Sequence, residues 1–162
     1  MVAKFKGVHI TAVDEKGRTS IPTKLRDVFA SIYGDESIII TKAAPVATGS
    51  GEPCRGLAIY PLQEFQELED RLDRLSGFTA AEMKSIRNLI IAPAEPCSFD
   101  KQGRVLVPPA LRSYAGLERD IVFVGGQNNK IELWTVGTWE QVCGQSEKDF
   151  PSDSPQLADL GI

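Results

Sequence analysis

One nine-residue segment occurs twice in the chain, and this duplication constrains the fold more than any other feature. The first copy spans residues 14–22 and the second spans residues 100–108. Six residues match at one constant offset of 86 positions. They are Asp14 with Asp100, Gly17 with Gly103, Arg18 with Arg104, Pro22 with Pro108, Leu25 with Leu111, and Arg26 with Arg112. A single offset over such a length indicates an internal repeat, so we expect the two halves to share one fold.

Each copy has the composition of a strand, a tight turn, a second short strand and a helix. The aspartate that opens the turn can accept backbone N–H groups two residues further on. The glycine three positions later supplies a site with positive φ. A proline then ends the second strand and suits the first turn of a helix. The predicted strands and helices are 8–13, 19–21 and 23–29 in the first copy, and 97–99, 105–107 and 110–114 in the second.

The repeat continues through two more strands in each copy. Residues 37–41 correspond to 120–124, and residues 57–60 correspond to 131–134, all rich in β-branched and apolar side chains. The offset falls from 86 at the turns to 83 at the third strand and 74 at the fourth, so the first copy has twelve extra residues by that point. Nine of them lie between the third and fourth strands, where 42–55 is rich in Ala, Gly, Ser and Pro and predicts an exposed loop that is mobile or makes contacts.

The sequence therefore divides into four segments. A first repeat spans 5–61 and a second spans 93–140. Between them, 62–92 has the apolar spacing of a helical hairpin, whose apolar face either packs on the sheets or makes a subunit contact. The final segment, 141–162, is polar, acidic and rich in Ser and Pro, which predicts a weakly ordered tail.

Composition limits the chemistry that the chain can perform. With one histidine, the sequence offers no Ser-His-Asp arrangement and no histidine metal site, and its three cysteines form no Cys-x-x-Cys pair. Asp14 and Asp100 could act as paired acid and base, but their place in a turn favours capping or pairing with arginine. We expect no enzyme, cofactor or metal. Without a long apolar run or an apolar leader at its start, the chain is predicted to be cytoplasmic and not membrane-bound.

The distribution of charge permits a nucleic-acid partner although the net charge is −4, and an ordinary solvated charge pattern is the alternative. Residues 1–30 contain six Lys and Arg against three Asp and Glu, a local charge of +3. Residues 101–119 contain four basic residues against one acidic residue, again +3. Phosphate affinity depends on local potential, so both basic segments, each of which includes part of a repeated turn, are compatible with double-stranded DNA.

The repeated unit resembles a known family. Asp-x-x-Gly-Arg followed by a strand, a proline and a Leu-Arg helix is similar to the AbrB-type DNA-binding unit. Two such units joined by a helical hairpin resemble the MraZ family of bacterial transcriptional regulators, over about residues 5–143. The resemblance implies an α+β, β-rich fold of two swapped-hairpin repeats (double-split β-barrel) related by a pseudo-two-fold axis. It also implies that several chains close into a ring, of eight or more chains.

The same resemblance implies a function. The family binds short G-rich direct repeats upstream of the division and cell-wall gene cluster and represses its own operon. This chain is then expected to associate with the nucleoid, and the alternative is a protein-interaction module of the antitoxin type. Carried over by position, the DNA-binding residues are the motif arginines and their turn neighbours. They are Arg18, Arg104, Lys16, Lys101, Asp14, Asp100, Gly17 and Gly103. Each arginine could contact DNA, hold the fold through its own aspartate, or do both.

Overall fold

The computed structural model describes residues 4–34, 37–49, 51–127 and 129–162. The strands are β1 Val8–Ala12, β2 Arg18–Ser20, β3 Ser37–Lys42, β4 Leu57–Pro61, β5 Glu95–Ser98, β6 Arg104–Leu106, β7 Asp120–Val124 and β8 Ile131–Thr135. The helices are α1 Thr23–Val28, α2 Leu62–Arg74, α3 Ala80–Ile86, α4 Pro109–Tyr114, α5 Val136–Asp149 and α6 Gln156–Leu160. The π-helical turns Phe29–Tyr33 and Arg87–Ile91 extend α1 and α3. None of these helices is long and apolar enough to cross a membrane.

The two copies exchange strands with each other. Six strands form one antiparallel sheet in the order β1-β7-β8-β4-β3-β5, and β2 pairs with β6 in a separate two-stranded ribbon. Thus β1 of the first copy pairs with β7 of the second, and β5 of the second pairs with β3 of the first. The prediction of a mixed α+β fold is confirmed, with a large antiparallel sheet as its main element.

At the centre of each sheet, the strands pair at equivalent positions of the internal repeat. Thr19 pairs with Val105 at the centre of the ribbon, and these two positions correspond at the offset of 86. At the centre of the sheet Ala58 pairs with Glu132, which correspond at the offset of 74. Equivalent residues therefore face each other at both places, as they do on a two-fold axis. The strand order of the sheet has the same symmetry, because β1, β3 and β4 of the first copy correspond to β5, β7 and β8 of the second.

The strands do not close into a barrel within the described ranges, so the prediction of a double-split barrel is wrong on this point. Strands β1 and β5 are the free edges of the six-stranded sheet. The ribbon connects to the sheet through the bridge between Val13 and Thr19. The physical reason is the length of β2 and β6, which have three residues each before Pro22 and Pro108 end their pairing.

Both faces of the four central strands of the six-stranded sheet, β3, β4, β7 and β8, are largely buried. On one face, side chains such as Ile40, Leu57 and Leu133 pack against Val105 of the ribbon and Leu25 of α1. On the other face a second cluster lies beneath α2 and α5. Its buried members are Ile39, Ala43, Cys54, Ala58, Tyr60, Phe65, Val122, Val124, Trp134 and Val142. Alternate residues of the central strands serve the two clusters, which explains why these strands are largely apolar. The ribbon is thereby held against the sheet by its inner side chains.

The helical hairpin is formed by α2 and by α3 with its π-helical turn. A capping box begins α3, where the Thr79 hydroxyl accepts from the Glu82 N–H at 3.0 Å and the Glu82 carboxylate accepts from the Thr79 N–H at 2.9 Å. The Thr41 hydroxyl donates to the Ile90 carbonyl and so attaches this segment to β3.

Two segments differ from their predictions. Most described residues of the loop 42–55 are exposed, but Ala43 and Cys54 are buried in the second cluster and Val46 bridges to Cys54. Residues 141–149 belong to α5, and α6 follows, so the segment 141–162 is largely helical instead of a weakly ordered tail. The reason is that Val142 is buried against the sheet, a single apolar contact that is inconspicuous in a polar sequence.

Candidate nucleic-acid interface

The first repeated turn is organised by the Asp14 carboxylate. Its Oδ1 accepts from the backbone N–H of Lys16 at 2.9 Å and of Arg18 at 2.9 Å. Its Oδ2 accepts from Nε of Arg18 at 2.8 Å. The backbone closes the same turn, because the Gly17 N–H donates to the Asp14 carbonyl at 2.9 Å. Gly17 has a φ of 86°, so the turn needs a residue without a side chain at this position.

The second turn reproduces this geometry. Asp100 accepts from the backbone N–H of Gln102 at 2.8 Å, from that of Arg104 at 2.9 Å, and from Nε of Arg104 at 2.9 Å. Gly103 has a φ of 76°. The backbone N–H of each arginine is the largest cause that lowers the pKa of its aspartate, and the N–H of Lys16 or Gln102 and the guanidinium act in the same direction. Both carboxylates therefore remain ionised near neutral pH.

In each Asp–Arg pair the carboxylate binds only part of the guanidinium. The carboxylate binds Nε only, and no second bond from the guanidinium of Arg18 or Arg104 is found within the described ranges. The two Nη groups of each arginine are thus available to a ligand. The arginine side chains are 33% and 29% exposed, which places them on the surface and not in the interior.

The ribbon points both arginines in the same direction. In β2 and β6 the central residues, Thr19 and Val105, are buried, and the residues on either side of them face outward. The outward residues pair across the ribbon as Arg18 with Leu106 and Ser20 with Arg104. The two arginines therefore stand on one face at diagonal positions, with Cα atoms roughly 7–8 Å apart by ordinary sheet geometry.

An open cleft of about 640 Å³ lies beside this face. Arg18 and Arg104 line it together with Asp14, Glu118 and Arg119. Lys16 and Lys101 are both exposed on their turns, but they are not equivalent, because Lys16 is the third residue of its turn and Lys101 the second of its own. The structure thus brings Asp14, Arg18 and Arg104 together in one cleft, whereas Asp100, Lys101 and Gly103 line a second depression beside Arg26.

Comparison with known proteins identifies the family. The family described as "MraZ protein, putative antitoxin-like" matches residues 90–159. The transcriptional regulator MraZ of Geotalea uraniireducens is 48% identical over 160 residues, which cover 98% of this chain and 99% of that protein. Those of Geobacter metallireducens and Geobacter sulfurreducens are each 46% identical over 158 residues, again 98% of this chain and 99% of theirs. The chain belongs to the MraZ family.

Membership in the MraZ family confirms the resemblance that the repeated turns indicated. MraZ is a family of transcriptional regulators and not of enzymes, so the prediction that this chain is not an enzyme is also confirmed. Among solved structures, PHS018 from Pyrococcus horikoshii covers 81% of this chain and 89% of its own at 18% identity, and its TM-score of 0.33 is too low to inform the fold.

Two further arginines of this MraZ family member contact the turns, and sequence reasoning assigned them no such role. Arg112 of α4 lies against Gly17, so that an added Cβ there would meet Arg112 Nη1 at 1.5 Å. Arg26 of α1 lies against Gly103 in the same way, at 1.6 Å. Each helix therefore covers the turn of the other copy. The matched offset of Arg26 and Arg112 was the signal in the sequence, but it did not show that each arginine contacts the turn of the other copy.

We predict that Gly17→Ala lowers the free energy of unfolding by about 1–3 kcal/mol, because a side chain at positive φ is strained and Arg112 must move. Gly116→Ala is the control: its φ is 64° and no atom lies within 4 Å of the added Cβ. Its cost should be smaller, about 1 kcal/mol. Urea unfolding measures both values. Adding Arg112→Ala should reduce the cost of Gly17→Ala to that of the control, and equal costs for the two single variants would contradict the contact.

Proposed function

We propose that this chain regulates transcription by binding DNA in a sequence-specific manner through the outward face of the β2–β6 ribbon. The observation that carries the proposal is the pair of Asp-held arginines, Arg18 and Arg104, on one exposed face of a two-stranded ribbon. The major groove of B-DNA accepts a two-stranded ribbon, and arginine binds guanine O6 and N7 in a bidentate manner. The names of the relatives as transcriptional regulators support the same function.

The role of each aspartate follows from its hydrogen bonds. By binding Nε, Asp14 fixes the plane of the Arg18 guanidinium and leaves the two Nη groups for a base edge. A side chain held in its binding conformation loses less entropy when it binds, so affinity rises without any additional contact. DNA contact and a structural ion pair are therefore compatible roles of one arginine, and Asp100 does the same for Arg104.

We infer that basic side chains around the turns contact phosphates. Lys16 and Lys101 are exposed, and the guanidiniums of Arg26 and Arg112 lie beside the turns with no side-chain acceptor among the residues described. Phosphate contacts set the position of a protein on the duplex, and base contacts provide specificity. We therefore assign base reading to Arg18 and Arg104 and phosphate binding to the other four.

The finer features belong to the same proposal. Tandem AbrB-type units would present one ribbon per chain, and a homo-oligomeric ring would present several ribbons to short G-rich direct repeats. One ribbon makes few base contacts, so linked copies gain affinity through high effective concentration. Repression of its own division and cell-wall operon, and a place in the cytoplasm at the nucleoid, follow from the family resemblance and complete the proposal.

The test is selection of bound sequences from a random double-stranded library, followed by affinity measurements over a salt series. We expect enrichment of sites that contain guanine and a steep linear fall of log K with log salt, because each neutralised phosphate releases condensed counterions. Binding without enrichment would refute base reading by the ribbon. An absence of binding at low salt would refute DNA binding itself.

A protein-interaction module remains the second candidate, and one surface favours it. Leu75 and Phe78 are exposed at the tip of the helical hairpin, next to the break between α2 and α3. Exposed apolar side chains that lie together are typical of protein contacts. The affinity for a protein partner bound through this tip would depend weakly on salt concentration, whereas the affinity for DNA depends on it strongly.

A further inference from the structure

The ribbon has a two-fold backbone but unequal side chains. Arg18 and Arg104 are equivalent, and each pairs across the ribbon with the outward residue of the other strand. The equivalent positions 20 and 106, however, carry serine in one copy and leucine in the other. Arg18 therefore stands opposite Leu106, whereas Arg104 stands opposite Ser20. The face proposed to meet DNA has two chemically different ends.

Leu106 has no evident role in the fold. Its side chain is 52% exposed, and it is absent from both buried clusters. The inward residue of the same strand, Val105, provides the packing and is fully buried. The first copy forms the same strand with Ser20 at the equivalent position, so this backbone does not require leucine there. An exposed leucine on an otherwise polar face is consistent with contact to a ligand.

The chemistry of the base edges gives that contact a target. Directly opposed residues on a sheet have Cβ atoms roughly 4.5–5.5 Å apart, so Leu106 reaches the base step beside the guanine that Arg18 contacts. In the major groove the one apolar group is the C5 methyl of thymine, which apolar side chains contact. A serine hydroxyl donates and accepts, and it can serve several bases.

We propose that Leu106 is a specificity-determining residue that recognises a thymine methyl next to the guanine bound by Arg18. This rests on the proposed DNA-binding function. The end formed by Arg104 and Ser20 binds guanine with a weaker demand on the neighbouring base. Each chain then has a fixed direction on the duplex, because reversing it would place Leu106 where Ser20 belongs.

The experiment uses the full chain and the DNA sites selected from the random library. Each thymine in the site is replaced in turn by deoxyuridine, which removes only the C5 methyl group. We expect one replacement, adjacent to a guanine, to weaken binding roughly three- to fivefold, the effect of one buried methyl group. Leu106→Ser should bind unmodified DNA as weakly as the wild type binds that deoxyuridine site, and it should be insensitive to the replacement.

Two further variants complete the design. Ile10→Ser is the matched control, because Ile10 is also an exposed apolar residue, 69% exposed, but lies on the edge strand β1. It should retain full sensitivity to deoxyuridine. Ser20→Leu should create sensitivity at a second thymine. If the wild type binds its selected sites and Leu106→Ser keeps the same sensitivity, Leu106 does not contact the methyl group. If the wild type selects no site, the proposed function itself fails.

Discussion

Replacing Arg18 with alanine is expected to weaken binding to a selected DNA site by roughly ten- to a hundredfold, the value of one bidentate contact to guanine. The free energy of unfolding should change little, because the Asp14 carboxylate keeps its bonds to the backbone N–H groups of Lys16 and Arg18. Loss of specificity at one base pair should accompany the loss of affinity. Gel-shift titration with urea unfolding of the same variant measures both quantities.

Matched variants distinguish the bidentate hydrogen-bonding geometry of the Arg18 guanidinium from its positive charge. Arg74→Ala removes the same charge from an exposed position of α2 and should leave affinity almost unchanged at physiological salt. Arg18→Lys keeps the charge but cannot make two parallel hydrogen bonds, so it should retain nonspecific binding and lose the preference for guanine. Full affinity in a folded Arg18→Ala variant would remove Arg18 from the interface.

Dividing the chain within the hairpin is expected to abolish folding of the first half as a monomer. A fragment of residues 1–78 contains β1 to β4 and keeps the β3–β4 pair, yet it lacks β7, β5 and β8, which pair with β1, β3 and β4 in the six-stranded sheet. It also loses β6, the partner of β2. Without these strands one face of the core is open, so no cooperative thermal transition of a monomer should be seen by circular dichroism.

Complementation provides the control. An equimolar mixture of fragments 1–78 and 79–162 should recover the transition, because the cut leaves every strand pair intact. The first fragment alone could associate with a second copy of itself, since its strands resemble the missing ones, but its melting temperature would then rise with concentration. A cooperative transition of the monomeric fragment, independent of concentration, would contradict the strand exchange as the basis of the fold.

The repeat made the local geometry predictable from the sequence. Asp14, Gly17 and Arg18 define a turn through interactions within five consecutive residues, and such interactions appear in the sequence as fixed spacing. The same turn at Asp100 removed the ambiguity of a single short motif. The alternation of residues between the two faces of a strand then sets the outward direction of the arginines, because Thr19 and Val105 beside them are buried.

The exchange between copies was not predictable in the same way. A repeat shows that β1 and β5 are equivalent, but pairing of β1 with its own copy or with β7 would satisfy the same apolar pattern. The position of Arg112 over Gly17 depends on that choice, so it could not be derived from spacing. The prediction of a closed barrel was wrong for a related reason. Closure depends on whether the strands continue to pair beyond Pro22 and Pro108, and the repeat shows only that the strands exist.

The free edges of the six-stranded sheet have different consequences for growth of an assembly. Strand β5 contains Pro96, which has no N–H to offer a neighbouring strand, and begins with the charged Glu95. Strand β1 has neither feature and exposes Val8 and Ile10. Addition of a strand from another chain is therefore disfavoured at β5, whereas β1 can pair with β1 of a second chain, and that association stops at a pair. Growth of an amyloid-like fibril through sheet edges needs both edges, so the β5 edge disfavours it.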